Sequence, residues 1–216
     1  MRPILVFGLV TVVWVLTALP LEREGASSTV YAQSVPACPQ ISIIDLGTLG
    51  GTFSFAGAIN ERGQVVGYSE TASGEIHAFL WKDGVMTDLG TLGGTFSSGV
   101  AINERGQVVG ASETASGEIH AFLWKDGVII DLGTLGGITS EVRAINERGQ
   151  VVGSSETVSG NLHGFLWHQG VMTDLGTLGG TISQAFTINE RGQVVGNSDT
   201  ALGEGHAALW TKGCPQ

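Results

Sequence analysis

Four near-identical copies of a 43-residue unit occupy almost the whole chain, with an aspartate marking the same register at Asp45, Asp88, Asp131 and Asp174. Each copy runs from DLGTLGG through INERGQVVG to a closing His-x-x-Leu-Trp. A unit this short cannot bury its own apolar side chains and must cover them with its neighbours. The chain is thereby confined to architectures made by repeating one small module.

Within a copy the signals are those of short antiparallel strands. Glycine accounts for 34 of 216 residues and recurs at fixed places between β-rich runs, as turn punctuation does. In the first copy Phe55 to Ile59 reads as a strand and Asn60-Glu61-Arg62-Gly63 as a turn. Gln64 to Ser69 reads as the return strand, followed by a polar loop from Glu70 to Glu75. His77 to Trp81 is a third strand, Lys82-Asp83-Gly84 a hairpin turn, and Val85 to Leu89 a fourth strand leading into the next copy. No window after the leader carries helical spacing of apolar residues, so the predicted class is all-β.

Four short strands in a unit of this size match a β-propeller blade. The phase at the chain ends suggests closure. An orphan fourth strand, Ser42 to Leu46, precedes the first full copy, and the last copy stops after a third strand, His206 to Trp210. Pairing the two predicts a four-bladed propeller closed by its own termini, without exposed sheet edges. The competing architecture is an open β-solenoid, for which no terminal caps are evident in the sequence.

The first 32 residues lie outside the repeats. Arg2 precedes an uncharged run from Ile4 to Leu19, which is 16 residues and short of the roughly 20 that span a bilayer. Val30-Tyr31-Ala32 offers a signal-peptidase site, so residues 1–32 are read as a signal peptide and 33–216 as a single repeat domain; an uncleaved anchor is the alternative. The expected location is secreted or periplasmic. The leader is neutral, and the remainder keeps the full net charge of −10, which repels phosphate backbones and anionic lipid and excludes nucleic acid as a partner. Cys38 and Cys214 flank the repeats on either side, an arrangement that in an exported chain suggests a disulfide joining the termini. Two unrelated thiols, or an acylated Cys38 in a loose lipobox, are the other readings.

DLGTLGG, AINERGQVVG and HAFLW together resemble the HAF repeat family of extracellular bacterial proteins, over residues 45–210. The third copy departs at His163-Gly164-Phe165 and the fourth at His206-Ala207-Ala208. The resemblance implies export and a repeat fold, and brings no catalytic residues with it.

His77, His120, His163 and His206 supply one imidazole per copy and invite a metal site on a central axis. Strand spacing argues against it, because a third strand lies about 10 Å outside a first strand lining the channel. Such rings cannot converge on a metal that needs nitrogen at about 2.1 Å. The expected role is a hydrogen bond within each blade, with the recurring aspartates as partners. Trp81, Trp124, Trp167 and Trp210 are read as core wedges in preference to sugar-stacking platforms. No GxSxG, HExxH or DxDxDG pattern is present, and no cofactor is called for. Carboxylates spread over equivalent blades do not make the single asymmetric constellation that catalysis needs.

Ligand candidates come from positions where the copies disagree, at the start of the first strand. These are Phe53, Ser54 and Phe55 in the first copy, and Phe96, Ser97 and Ser98 in the second. Ser140, Glu141 and Arg143 follow in the third, and Ser183 and Gln184 in the fourth. Neutral variation of exposed positions is the competing account. The acidic loops carrying Glu70, Glu113, Glu156 and Asp199 are expected on the same face. The sequence thus predicts an exported, monomeric, non-enzymatic module that binds a glycan or protein at a channel mouth. An extracellular polysaccharide hydrolase or lyase, or a passive envelope scaffold, are the alternatives.

Overall fold

The computed structural model describes residues 41–211. The leader, Cys38 and Cys214 lie outside them, so the signal peptide and the disulfide have no structural counterpart here. The described residues contain strands and no helix.

The first repeat comprises β1 (Gly50–Ile59), β2 (Val65–Thr71), β3 (Ile76–Lys82) and β4 (Val85–Asp88). The second holds β5 (Gly93–Ile102), β6 (Val108–Thr114), β7 (Ile119–Lys125) and β8 (Val128–Asp131). In the third are β9 (Gly136–Ile145), β10 (Val151–Thr157), β11 (Leu162–His168) and β12 (Val171–Asp174). The fourth stops at three strands: β13 (Gly179–Ile188), β14 (Val194–Thr200) and β15 (Gly205–Trp210). Each repeat is an antiparallel meander in sequence order. A single parallel bridge, Ile76 to Phe96, joins the first two sheets.

The hairpin turns behave as their residues require. Asp83 and Gly84 take φ of 51° and 83°, positive at both central positions as in the two-residue turn that matches strand twist. Asn60 accepts the backbone N–H groups of Arg62 and Gln64 on its Oδ1 at 3.1 and 3.0 Å, closing the next turn with its own side chain. The first strand begins five residues earlier than expected, because the Gly-Gly pair enters the sheet ahead of a bulge. Gly50 sits at φ 104°, and a Cβ on Gly51 would meet the Glu70 side chain at 2.5 Å. The β1–β2 register shifts once between Gly50 and Ser54 and again between Ala56 and Ala58.

The core lies between repeats. Val66, Ala78, Leu80 and Leu89 of the first repeat pack against Val108 and Phe122 of the second, with Trp124 at the edge. Val109, Ala121, Leu123 and Leu132 of the second meet Val142, Val151, Phe165 and Trp167 of the third. Val152 meets Ala185 and Val194 of the fourth, with Trp210 against them. Alternate side chains of each sheet therefore face opposite neighbours; Trp124, Trp167 and Trp210 sit at these junctions, while Trp81, with no preceding repeat, joins none of them.

The predicted closure is not seen among the described residues. Residues 41–48 carry no strand, and among the described residues β15 pairs with β14 alone. A fourth-strand sequence needs a third strand beside it, and the segment at 43–46 instead lines a cavity with Ser54, Ala56 and Phe79 of its own repeat. Among the described residues no closed ring or barrel is present, and the two outermost repeats each present an uncovered face.

Candidate functional site

The variable first-strand segments separate into two sets. Ser97, Ser140 and Ser183 are buried, and each accepts the backbone N–H of the preceding repeat's third strand, from Ala78, Ala121 and Gly164 at 2.8–3.0 Å. Each also donates to the carbonyl of Gly90, Gly133 or Gly176 at 2.6–2.7 Å. The shared serine is spent on the scaffold. Ser54 alone is exposed; it donates to Gly47 O at 2.7 Å and receives no N–H from a preceding strand.

The other set faces outward. Phe55 stacks on Tyr68 with ring centroids 5.4 Å apart at 22°, and Phe53 meets the same tyrosine edge-on at 6.4 Å. Phe55 is 57% exposed and Phe53 42%, so the cluster presents open ring faces. Tyr68 pairs directly opposite Phe55 in the ladder, where the other repeats pair Ser98 with Ala111, Glu141 with Ser154 and Gln184 with Asn197. The sequence reading missed Tyr68. It breaks the repeat in the same way as Phe55, and strand pairing would have found it. Phe96 and Ser98 are half-buried, as is Gln184. Glu141 and Arg143 pair with each other at 3.4 Å on open surface, and none of the cavities described here takes them in.

The acidic loops adjoin this row. Glu70 accepts both the amide and the hydroxyl of Thr52 at 2.6 Å, and Glu113 does the same with Thr95 at 2.8 and 3.0 Å. The Thr52 hydroxyl, then its amide, hold the Glu70 carboxyl below its ordinary value; for Glu113 the Thr95 amide contributes most and its hydroxyl next. Glu156 keeps only an amide, from Ile138 at 3.1 Å.

Three of the four recurring histidines pair with an aspartate inside their own repeats. His77 Nδ1 lies 2.8 Å from Asp88, His120 Nδ1 2.9 Å from Asp131 and His163 Nδ1 2.8 Å from Asp174. Among the described residues no cluster of three or more His, Cys, Asp or Glu is arranged to hold a metal ion.

A further feature was not anticipated. Grooves run between successive repeats on the side of the Asn-Glu-Arg-Gly and Lys-Asp-Gly turns. One of about 480 Å³ is lined by Gln64, Lys82, Arg105, Gln107, Trp124 and Lys125. Its successor, of about 410 Å³, is lined by Arg105, Gln107, Lys125, Arg148, Trp167 and His168. In a chain of net charge −10, Lys82, Arg105, Lys125 and Arg148 border these grooves, with Asp126 beside Lys125. Their regular recurrence in the turns was visible in the sequence, but not that two successive repeats would bring them together.

No family model matches the chain, and no curated protein is similar to it.

Proposed function

We propose that the chain is an exported, non-enzymatic binding module built from four propeller-blade-like units, and that it recognises carbohydrate on the Phe53–Tyr68–Phe55 platform. The exposed aromatic stack supports this reading. Three rings at one edge of an otherwise near-exact repeat, with Phe53 and Phe55 open to solvent and Tyr68 stacked beneath Phe55, are what a sugar ring needs for stacking on its apolar face. Their neighbours Thr52 and Glu70 bring hydroxyl and carboxylate oxygens to the same edge. The leader at residues 1–32 and the likeness to HAF repeats agree with a location outside the cytoplasm. A hydrolase or lyase would need a carboxylate pair poised across a bound chain. Glu141, the variable carboxylate nearest such a role, is instead engaged with Arg143.

A glycan array probed with the exported protein tests the proposal, followed by titration of any hit against Phe55→Ala and Tyr68→Ala. Loss of about fivefold or more in affinity in both variants is expected, since aromatic stacking contributes about 1 kcal/mol or more per ring. Binding untouched by both substitutions, or no binding to any glycan, contradicts it.

A second reading draws on the cation-lined grooves. Guanidinium and indole groups recurring once per repeat, joined by an ammonium in the first two, suit an anionic polymer with evenly spaced acidic groups. On this reading Arg105→Ala would weaken binding of a uronic-acid polymer while Tyr68→Ala would not.

A further inference from the structure

The two ends of the repeat stack are uncovered, and what each lacks is what the other offers. At an interior junction the chain makes one fixed set of contacts. Ala78 N–H donates to Ser97 Oγ at 2.8 Å, and Leu89 N–H donates to Ala78 O at 2.9 Å. Asn60 Nδ2 donates to Asn103 O at 3.0 Å, and Glu61 N–H donates to Glu104 Oε1 at 2.8 Å. The fourth strand adds to the third with Asp88 opposite Phe79 and Met86 opposite Trp81, and Asp88 takes His77. The same contacts recur at the next two junctions, apart from the fourth-repeat strand that would follow β15.

At the C-terminal end the donors of this set stand without their acceptors among the described residues. Asn189 Nδ2 keeps its bond to Gln193 but meets no further asparagine carbonyl. β15 has an open edge at Ala207, and His206 lies 3.7 Å from Glu204 with no aspartate beside it. Val195 is 42% exposed, where Val66, Val109 and Val152 are fully buried. Next to that edge, Leu166, Leu175, Val194 and Trp210 line an open apolar cavity of about 360 Å³. At the N-terminal end the acceptors stand without donors. Ser54 receives no N–H, Asp45 holds only the amide of Gly47 at 3.0 Å, and the fourth-strand segment exposes Ile43 at 99% and Ile44 at 67%.

We propose that a second copy of this chain fills each end, head to tail, with residues 43–46 of one copy adding as a fourth strand to β15 of the next. The interior register sets the pairing: Asp45 opposite Ala208, Ile44 opposite Leu209, and Ile43 opposite Trp210 at the rim of the apolar cavity. Ala207 N–H donates to Ser54 Oγ of the second copy, Leu46 N–H of that copy donates to Ala207 O, and His206 takes its Asp45. This is strand addition to an open sheet edge, with backbone hydrogen bonds giving affinity and the valine, leucine and tryptophan positions giving register. The two faces differ, so the contact is heterologous and propagates into a ring or a filament. The single-chain closure expected from sequence would use the same atoms, and the test separates the two.

The experiment is light scattering with size exclusion on the protein purified from the periplasm of an expressing bacterium, over a wide concentration range. Two variants accompany it. Ile43→Asp alters a side chain that is 99% exposed and outside every core cluster, so the fold of the repeat is expected to survive it. Ala207→Pro removes the free edge N–H at an edge strand, and far-ultraviolet circular dichroism checks that its sheets persist. The wild type is expected to form concentration-dependent multiples of the chain mass, each variant alone a monomer, and their mixture a dimer that grows no further. A wild type that is monomeric at every concentration, whether closed on itself or open, overturns the proposal. So do variants that still associate alone, or a mixture that stays monomeric.

Discussion

Leu123 and Leu209 occupy the same register of the third strand, yet one is 3% exposed and the other 59%. Asn103 and Asn189 differ in the same way, the first buried with a bond to the next repeat and the second exposed without one. The local sequence around each pair is nearly identical, and so is the local strand pairing. What separates them is the presence of a following repeat. Burial in this protein is therefore conferred by the neighbour, and stability should follow position in the stack more closely than residue type.

The largest expected effect sharpens that contrast directly. Leu123→Ala should cost about 2–5 kcal/mol in urea unfolding, since it opens a cavity in the junction between the second and third repeats. Leu209→Ala, the same substitution at the uncovered end, should change stability by about 0.5 kcal/mol or less. Equal costs would mean that something covers the last repeat. Next in size is the asparagine ladder. Asn103→Ala removes a side chain that donates to Gln107 and Asn146 and accepts from Arg105 and Gln107. It leaves buried groups unpaired at a cost of roughly 1–3 kcal/mol, and Asn189→Ala should cost distinctly less by the same measurement.

Smaller still is the histidine pair. His120→Ala breaks a part-exposed contact with Asp131 and should cost about 1 kcal/mol or less, while His206→Ala, with no aspartate partner, should be silent. The pH dependence is the finest discriminator. Glu70 and Glu113 have carboxyl groups lowered by threonine hydrogen bonds, so the stabilisation they give is present above the ordinary carboxylate value and is lost as pH falls through the folded value. Thermal melts of Thr95→Val between neutral and acid pH should show a shallower acid decline than the wild type.

Much of the repeat was legible in advance because its signals are local. Asp83-Gly84 announces a two-residue hairpin, Asn60 closes its own turn, and the spacing from His77 to Asp88 across that hairpin makes them partners. The tryptophan wedge followed from its place at the end of an apolar strand. The arrangement of repeats was not legible. A period states the size of the unit but not the rotation from one unit to the next, and that rotation decides between a ring and an open stack. The serines misled for a related reason: a residue shared by every copy beside variable ones looked like part of a mouth, whereas Ser97 and its equivalents bond the backbone of the preceding repeat. Tyr68 escaped notice because its partner Phe55 lies on the adjacent strand, not beside it in sequence.

The central claim is that each repeat is buried by the one that follows it, so the third strand of the last repeat stays open. Hydrogen exchange at one equivalent amide in each repeat tests it most directly. The amides of Ala78, Ala121 and Gly164 donate to serine Oγ atoms of the next repeat and should exchange slowly, whereas Ala207 in dilute protein should exchange quickly. Ala207 protected as well as the other three at every dilution would show that the chain covers its own last strand, and would contradict the account.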